Sequence, residues 1–283
     1  MDVGVDDPDR VGAEVLRDGR RLAWAEWGPA DGTPVVFCGG AGWGRWLGFG
    51  SDVLTELGVR LVAVERPGLG DSTPAPGRTL LDWADDIDRL DLDEPAVVGF
   101  SQGAPFAFAC AARGIAASVA IVSGGDELAY PGLAVPPEVR QLVDAVAADP
   151  AGAEADFAEF GSAERLWRLS IDNSPEVDRE IYRQPRFRKA FRRALDAGFA
   201  QGSAGYARDT VLHLSPWPFR VEDLSGRVQL WYGGRDRNAT HSPDAGVTLA
   251  ARIPGAVRHY VPEAGGALLW THAREILLDL LGR

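Results

Sequence analysis

The chain is 283 residues long, 46% hydrophobic and 25% charged, with 41 acidic and 29 basic side chains giving a formal net charge of −12. That length holds one large α/β domain with room for an inserted subdomain, and the acidic balance argues against a nucleic-acid partner and against any general attraction to anionic membrane. No apolar run reaches membrane-spanning length, and Cys38 and Cys110, both in apolar runs, read as buried thiols and not as a disulfide framework.

In chain order, residues 1–10 are acidic and polar, with no secretory leader, and are expected to fray; a cytoplasmic location follows as an expectation. Residues 13–17 and 20–27 flank Asp18-Gly19 and predict a β-hairpin. Residues 35–38 are a short continuous apolar strand, followed at once by Gly39-Gly40-Ala41-Gly42, where glycines let the backbone approach a ligand. Residues 60–64 form a further strand ending in the tight loop Glu65-Arg66-Pro67-Gly68-Leu69-Gly70-Asp71-Ser72, and residues 80–90 read as helical. Residues 97–100 run as a strand into Gly99-Phe100-Ser101-Gln102-Gly103, and a small-residue apolar helix follows. Strand, sharp Gly-x-Ser-x-Gly turn and helix are the context in which a serine hydroxyl is lifted above a sheet edge over a helix N-terminus. Residues 118–122 are the next strand, ending near Asp126.

The strand–helix alternation predicts a parallel sheet covered on both faces, and between residues 126 and 223 it breaks. Helices are predicted there over 136–148, 153–169, 175–183 and 186–199, with Arg188, Lys189, Arg192 and Arg193 reading as a solvated face. Three segments result: a first core part (1–125), a helical insertion (126–223) and a second core part (224–283). The sheet resumes at 227–232, followed by Gly233-Gly234-Arg235-Asp236; a helix is predicted over 243–252, a last strand over 257–261, and a closing amphipathic helix over 273–281.

With these pieces in place the sequence resembles the α/β-hydrolase fold family, in particular its bacterial capped members of the esterase, epoxide-hydrolase and peroxidase-like kinds. The resemblance rests on residues 35–44, on Arg66-Pro67-Gly68-Leu69-Gly70-Asp71-Ser72, on Gly99 to Gly103 and on Trp231 to Asp236. It implies an α/β-hydrolase fold with a mostly parallel sheet, helices on both faces and a helical cap. It implies Ser101 as nucleophile and Asp236 as acid, with Asp126 as an alternative acid, and the backbone N–H groups of Ala41 and Gln102 as an oxyanion hole.

Two positions depart from the family pattern. Gly39-Gly40 stands where His-Gly is usual, which leaves backbone donors intact. Gly266, in Pro262-Glu263-Ala264-Gly265-Gly266, occupies the usual place of the catalytic histidine after the last strand. A serine without a nearby base is a poor nucleophile. Of the four histidines, His259 and His272 are badly placed and His213 lies at the end of the cap. His241 is the best placed to act as a displaced base.

Trp43, Trp46 and Trp217, together with Gly39, Gly40 and Gly266, outline an expected pocket for a bulky apolar small molecule. The leading expectation is therefore an enzyme with an incomplete triad, little esterase activity and no acyl-Ser101 intermediate. It would cyclise, rearrange or eliminate within a biosynthetic pathway. The alternatives are a serine esterase or lactonase using a displaced histidine, and an inactive binding relative. No metal-ligand spacing and no dinucleotide fingerprint is present, so no cofactor and no metal are expected, and the chain is expected to act as a monomer or homodimer.

Overall fold

A computed structural model describes residues 3–283; Met1 and Asp2 of the expected frayed lead lie outside the described residues. The strands are β1 (Arg10–Val15), β2 (Arg21–Trp27), β3 (Thr33–Cys38), β4 (Val59–Val64), β5 (Ala96–Phe100), β6 (Ser118–Val122), β7 (Arg227–Gly233) and β8 (Val257–Val261). They form one eight-stranded sheet in the order β1-β2-β4-β3-β5-β6-β7-β8. β2 pairs antiparallel with β1 and β4, and every pairing from β4 through β8 is parallel.

The apolar runs explain this arrangement. Strand side chains alternate between faces, so a strand covered on both sides must be apolar throughout. In β3, Val35 and Phe37 enter one core cluster, while Val36 and Cys38 enter the cluster on the opposite face. β5 and β6 are buried along their whole length, whereas β8 is partly exposed, as an edge strand is.

Helices α1 (Leu54–Leu57), α2 (Leu80–Asp88) and α3 (Ala104–Ala112) belong to the first core part. Thr79 and Asp82 close a reciprocal capping box at the start of α2. Between β6 and β7 the chain inserts a helical cap: α4 (Pro137–Ala148), α5 (Pro150–Phe160), α6 (Ala163–Asp172), α7 (Glu176–Tyr182), α8 (Pro185–Gly198) and α9 (Ala204–Leu214). The core then closes with α10 (Val247–Arg252), α11 (Leu268–Thr271) and α12 (Ala273–Leu281). No helix among the described residues is long and apolar enough to cross a membrane.

Three local expectations are corrected. The single helix over 153–169 is two, because Ser162 caps α6 by accepting the Arg165 N–H, and a Cβ at Gly161 would lie 2.6 Å from the Tyr206 ring. Helix α9 sits where no helix was predicted. From Val3 onward the lead is tied down and not frayed: Val3 and Val5 are buried, and Asp6 and Asp7 pair with Arg186, Lys189 and Arg193 on α8.

Cap and core are also joined through a buried guanidinium. Arg66, in the loop after β4, pairs with Asp209 of α9 at 2.6 Å, and Arg78 pairs with the same carboxylate. The Arg66 guanidinium also donates to the carbonyls of Gly39 and Gly40, each at 2.8 Å. A charge this deeply buried requires such partners, and here they fix the loop that follows β3.

Candidate active site

Ser101 lies between β5 and α3 with φ at 52°. A left-handed backbone at a non-glycine residue costs roughly 1–3 kcal/mol and persists only where its surroundings impose it. The flanking glycines make the turn possible. A Cβ at Gly103 would sit 1.9 Å from the Cys38 carbonyl oxygen, and one at Gly99 would sit 2.8 Å from the Ala107 Cβ. The packing of β3 and α3 against this turn therefore admits only glycine at positions 99 and 103, two residues to either side of the serine.

The Ser101 hydroxyl has a partner. Oγ lies 2.8 Å from His241 Nε2, and His241 Nδ1 lies 2.6 Å from Asp236 Oδ2. Both come from the loop after β7, which organises itself around Asn238. The Asn238 N–H donates to Asp236 Oδ1 at 3.0 Å, and the Asn238 side-chain oxygen accepts from the Thr240 N–H and hydroxyl at 3.0 and 2.9 Å. That fixes the Asn238 amide with its nitrogen towards His241, 3.1 Å from Nε2. Burial opposes ionisation of Asp236, but the neighbouring His241 and the hydrogen bonds from His241 and the Asn238 N–H outweigh it, so the carboxyl lies below its usual value.

This overturns the expectation drawn from Gly266. Position 266 is a glycine, but the place of the base beside serine and acid is filled by His241, five residues beyond Asp236 in the same loop. The triad is not incomplete, and the non-hydrolytic reading built on a missing base falls with that premise. Gly266 abuts Asp236: a Cβ there would be 3.2 Å from Asp236 Oδ2, so a side chain at 266 would crowd the carboxylate that His241 uses.

The remaining predicted residues fall into two groups. Gly40, Ala41, Trp43, Gln102, Asp236, His241 and Gly266 line one cavity with Ser101. The backbone N–H groups of Ala41 and Gln102 donate to no protein acceptor among the described residues, while the Gln102 side-chain amide donates to the Thr210 hydroxyl at 3.1 Å. Trp43 stacks on Phe100 with ring centroids 5.3 Å apart. Trp46 lies outside the cavity lining, with the Arg193 guanidinium 3.5 Å above its ring. Trp217 packs on Phe108 in the cluster on the far face of the sheet, and Gly39 does not line the cavity.

Asp126 is buried, accepts from the Glu127 N–H and the Ser242 hydroxyl, and has no histidine partner; burial pushes its carboxyl up to about 6. Of the other histidines, His213 is buried in the cavity wall, where burial pushes it down to about 4. His259 stacks on Trp231, and His272 bonds to the Thr271 hydroxyl.

The cavity has a volume of about 620 Å³ and is mainly apolar, with Phe157, Phe160, Leu166 and Phe191 of the cap facing Phe100 and Trp43 of the core. Among the described residues no cluster of side chains is suited to hold a metal ion. Two residues that matter here escaped the sequence reading, Asn238 and Asp178. Asp178 had a signal: it stands on one face of α7 with Ile181 and Tyr182, at helical spacing, so an acid lies on an apolar stripe.

Comparison with known proteins agrees with this fold. The model of the Alpha/beta hydrolase family matches residues 35–278. The structure is similar to a hydrolase from Pseudomonas aeruginosa, with a TM-score of 0.67 and 19% identity over 97% of this chain and 99% of that one. A bromoperoxidase from Bacillus anthracis gives a TM-score of 0.67 at 20% identity, covering 97% of this chain and 100% of the other. An enol-lactonase from Burkholderia xenovorans gives 0.64 at 18%, covering 96% and 100%. With a family match across most of its length and serine, histidine and aspartate in hydrogen-bonded line, the chain is an enzyme and belongs to the alpha/beta hydrolase family.

Proposed function

We propose that the protein is a serine hydrolase of esters or lactones whose acyl or alcohol part is bulky and apolar. The observation that carries this reading is the continuous chain Ser101 Oγ–His241–Asp236, with contacts of 2.8 and 2.6 Å.

In this reading His241 Nε2 takes the Ser101 proton as Oγ adds to the substrate carbonyl. Asp236 remains ionised throughout and holds Nδ1–H in the right tautomer. The free N–H groups of Ala41 and Gln102 receive the developing oxyanion. The imidazolium then gives its proton to the leaving alkoxide, leaving an acyl ester on Ser101. Water adds to that ester with its proton passing to His241, and collapse returns the proton to Ser101 and releases the acid. Asn238, by donating its backbone N–H to Asp236 and accepting from Thr240, holds the loop that carries acid and base.

The aromatic and aliphatic walls support an apolar substrate, and the enol-lactonase among similar folds makes lactones worth including. The test is hydrolysis of a series of p-nitrophenyl esters and of medium-chain lactones, with the acid and alcohol products identified. kcat/KM is expected to rise along the series by up to about fourfold per added methylene while the cavity fills. Absence of hydrolysis across the series would contradict the reading, and a flat series would contradict the apolar substrate class.

A further inference from the structure

Asp178 of α7 is 2% exposed and has no cationic partner among the described residues. A cap helix needing only to pack would carry an apolar residue there, beside Ile181 and Tyr182. Burying a carboxyl instead is costly unless its oxygens are used, and both are. Oδ2 accepts the Gly266 N–H at 2.7 Å and Oδ1 accepts the Ala267 N–H at 3.0 Å.

The turn that Asp178 grips lies between two acids. A Cβ at Gly265 would be 2.3 Å from Asp178 Oδ1, and a Cβ at Gly266 would be 3.2 Å from Asp236 Oδ2. The same segment also holds the start of the β7 loop, since the Arg235 N–H donates to the Ala264 carbonyl at 2.8 Å. One connected path therefore runs from the cap, through the residue 264–267 backbone, to Asp236.

We propose that Asp178 is a positioning residue for the triad: from the cap it clamps the turn after β8 against Asp236, and so holds that carboxylate on His241 while the cap is closed. This rests on the hydrolase reading above. It gives the Gly265-Gly266 turn, which carries no catalytic side chain, a task at the site.

The charged and titratable groups facing Asp178 are Asp236 and His241 of the β7 loop and Tyr182 of its own helix. Burial, opposed by the two N–H groups and assisted by the charge of Asp236, pushes the Asp178 carboxyl up to about 6. Below that pH a proton occupies one oxygen and the clamp loses an acceptor, whereas above it both amides are held.

The experiment compares the full-length protein with Asp178→Asn, which keeps the side chain's shape, on a p-nitrophenyl ester and by hydrogen exchange of the peptide spanning residues 263–270. The variant is expected to lose about tenfold in kcat, as a slightly misplaced acid would cause, with KM moved by less than about twofold. The acid limb of its kcat profile should also be less steep than that of the wild type. Exchange should quicken at Gly266 and Ala267 and stay unchanged in α4 to α6. In the wild type alone, exchange at this turn, corrected for its intrinsic rate, should quicken as pH falls through about 6.

Unchanged kcat and acid limb, or a loss of kcat matched by an equal rise in KM, would overturn the proposal. So would unchanged exchange at the turn. Failure of the wild type to hydrolyse any ester would instead sink the hydrolase reading, while the exchange data would still decide whether Asp178 holds the turn.

Discussion

The loops that follow β7 and β8 sit side by side at the C-terminal edge of the sheet and have divided their labour unequally. The β7 loop carries the acid, the base and the asparagine that orders both, with Asp236, Asn238 and His241 bonded to one another. The β8 loop carries two glycines and pairs its Glu263 with Arg235 of the β7 loop, but to the triad it offers only backbone, which a cap carboxylate holds in place. A triad is defined by the alignment of three polar atoms and not by the order in which the chain supplies them. Proximity in sequence even helps, since a base five residues from its acid needs only one ordered loop, not two that register across strands.

The sharpest way to break this comparison is to remove the base from the β7 loop. His241→Ala is expected to lower kcat by about a thousandfold or more while leaving the thermal midpoint near that of the wild type. A smaller effect comes from returning a histidine to the β8 loop. In the double variant His241→Ala with Gly266→His, kcat should recover about tenfold over the single variant, because Cβ at 266 falls 3.2 Å from Asp236 Oδ2. In the wild-type background Gly266→His should reduce kcat instead, by crowding the carboxylate that His241 needs.

The acid of the β7 loop and the cap acid that grips the β8 loop also titrate in opposite directions. Asp236 is held below its usual value, whereas Asp178 is pushed from the ordinary 3.8 up to about 6. Between those last two values the folded state binds the Asp178 proton more tightly than the unfolded chain, so this group's contribution favours folding more as pH falls. Denaturant unfolding at pH 5 and pH 7 should show Asp178→Asn losing a contribution on the order of 1 kcal/mol to that pH dependence. Activity of the wild type should fall over the same interval in which this contribution to stability rises.

Much of the architecture was readable from the sequence because the relevant signals are local. Continuous apolar runs marked β3, β5 and β6, and the glycines around Ser101 marked a turn that no other residue type fits. Asp236 followed from a late strand ending in Gly-Gly-Arg-Asp. His241 is only one candidate among four histidines in the sequence, because chain order points to the glycine at position 266 and does not reveal the Asn238-centred turn that bends the β7 loop back. Trp46 and Trp217 were drawn towards the pocket by proximity in sequence. The direction in which a large ring points is decided by packing partners such as Arg193 and Phe108, which lie far away in the chain. Asp178 shows the reverse case: its clue was local, an acid on the apolar face of α7, but its partners at Gly266 and Ala267 become visible only once the cap has folded over the core.

The central claim, that His241 activates Ser101, is tested most directly by intact-protein mass spectrometry of labelling with a serine-directed fluorophosphonate. The account predicts rapid one-to-one labelling of the wild type, no label on Ser101→Ala, and labelling of His241→Ala slowed by about a hundredfold or more. Wild-type labelling that is absent, or that proceeds at the same rate without His241, would contradict it.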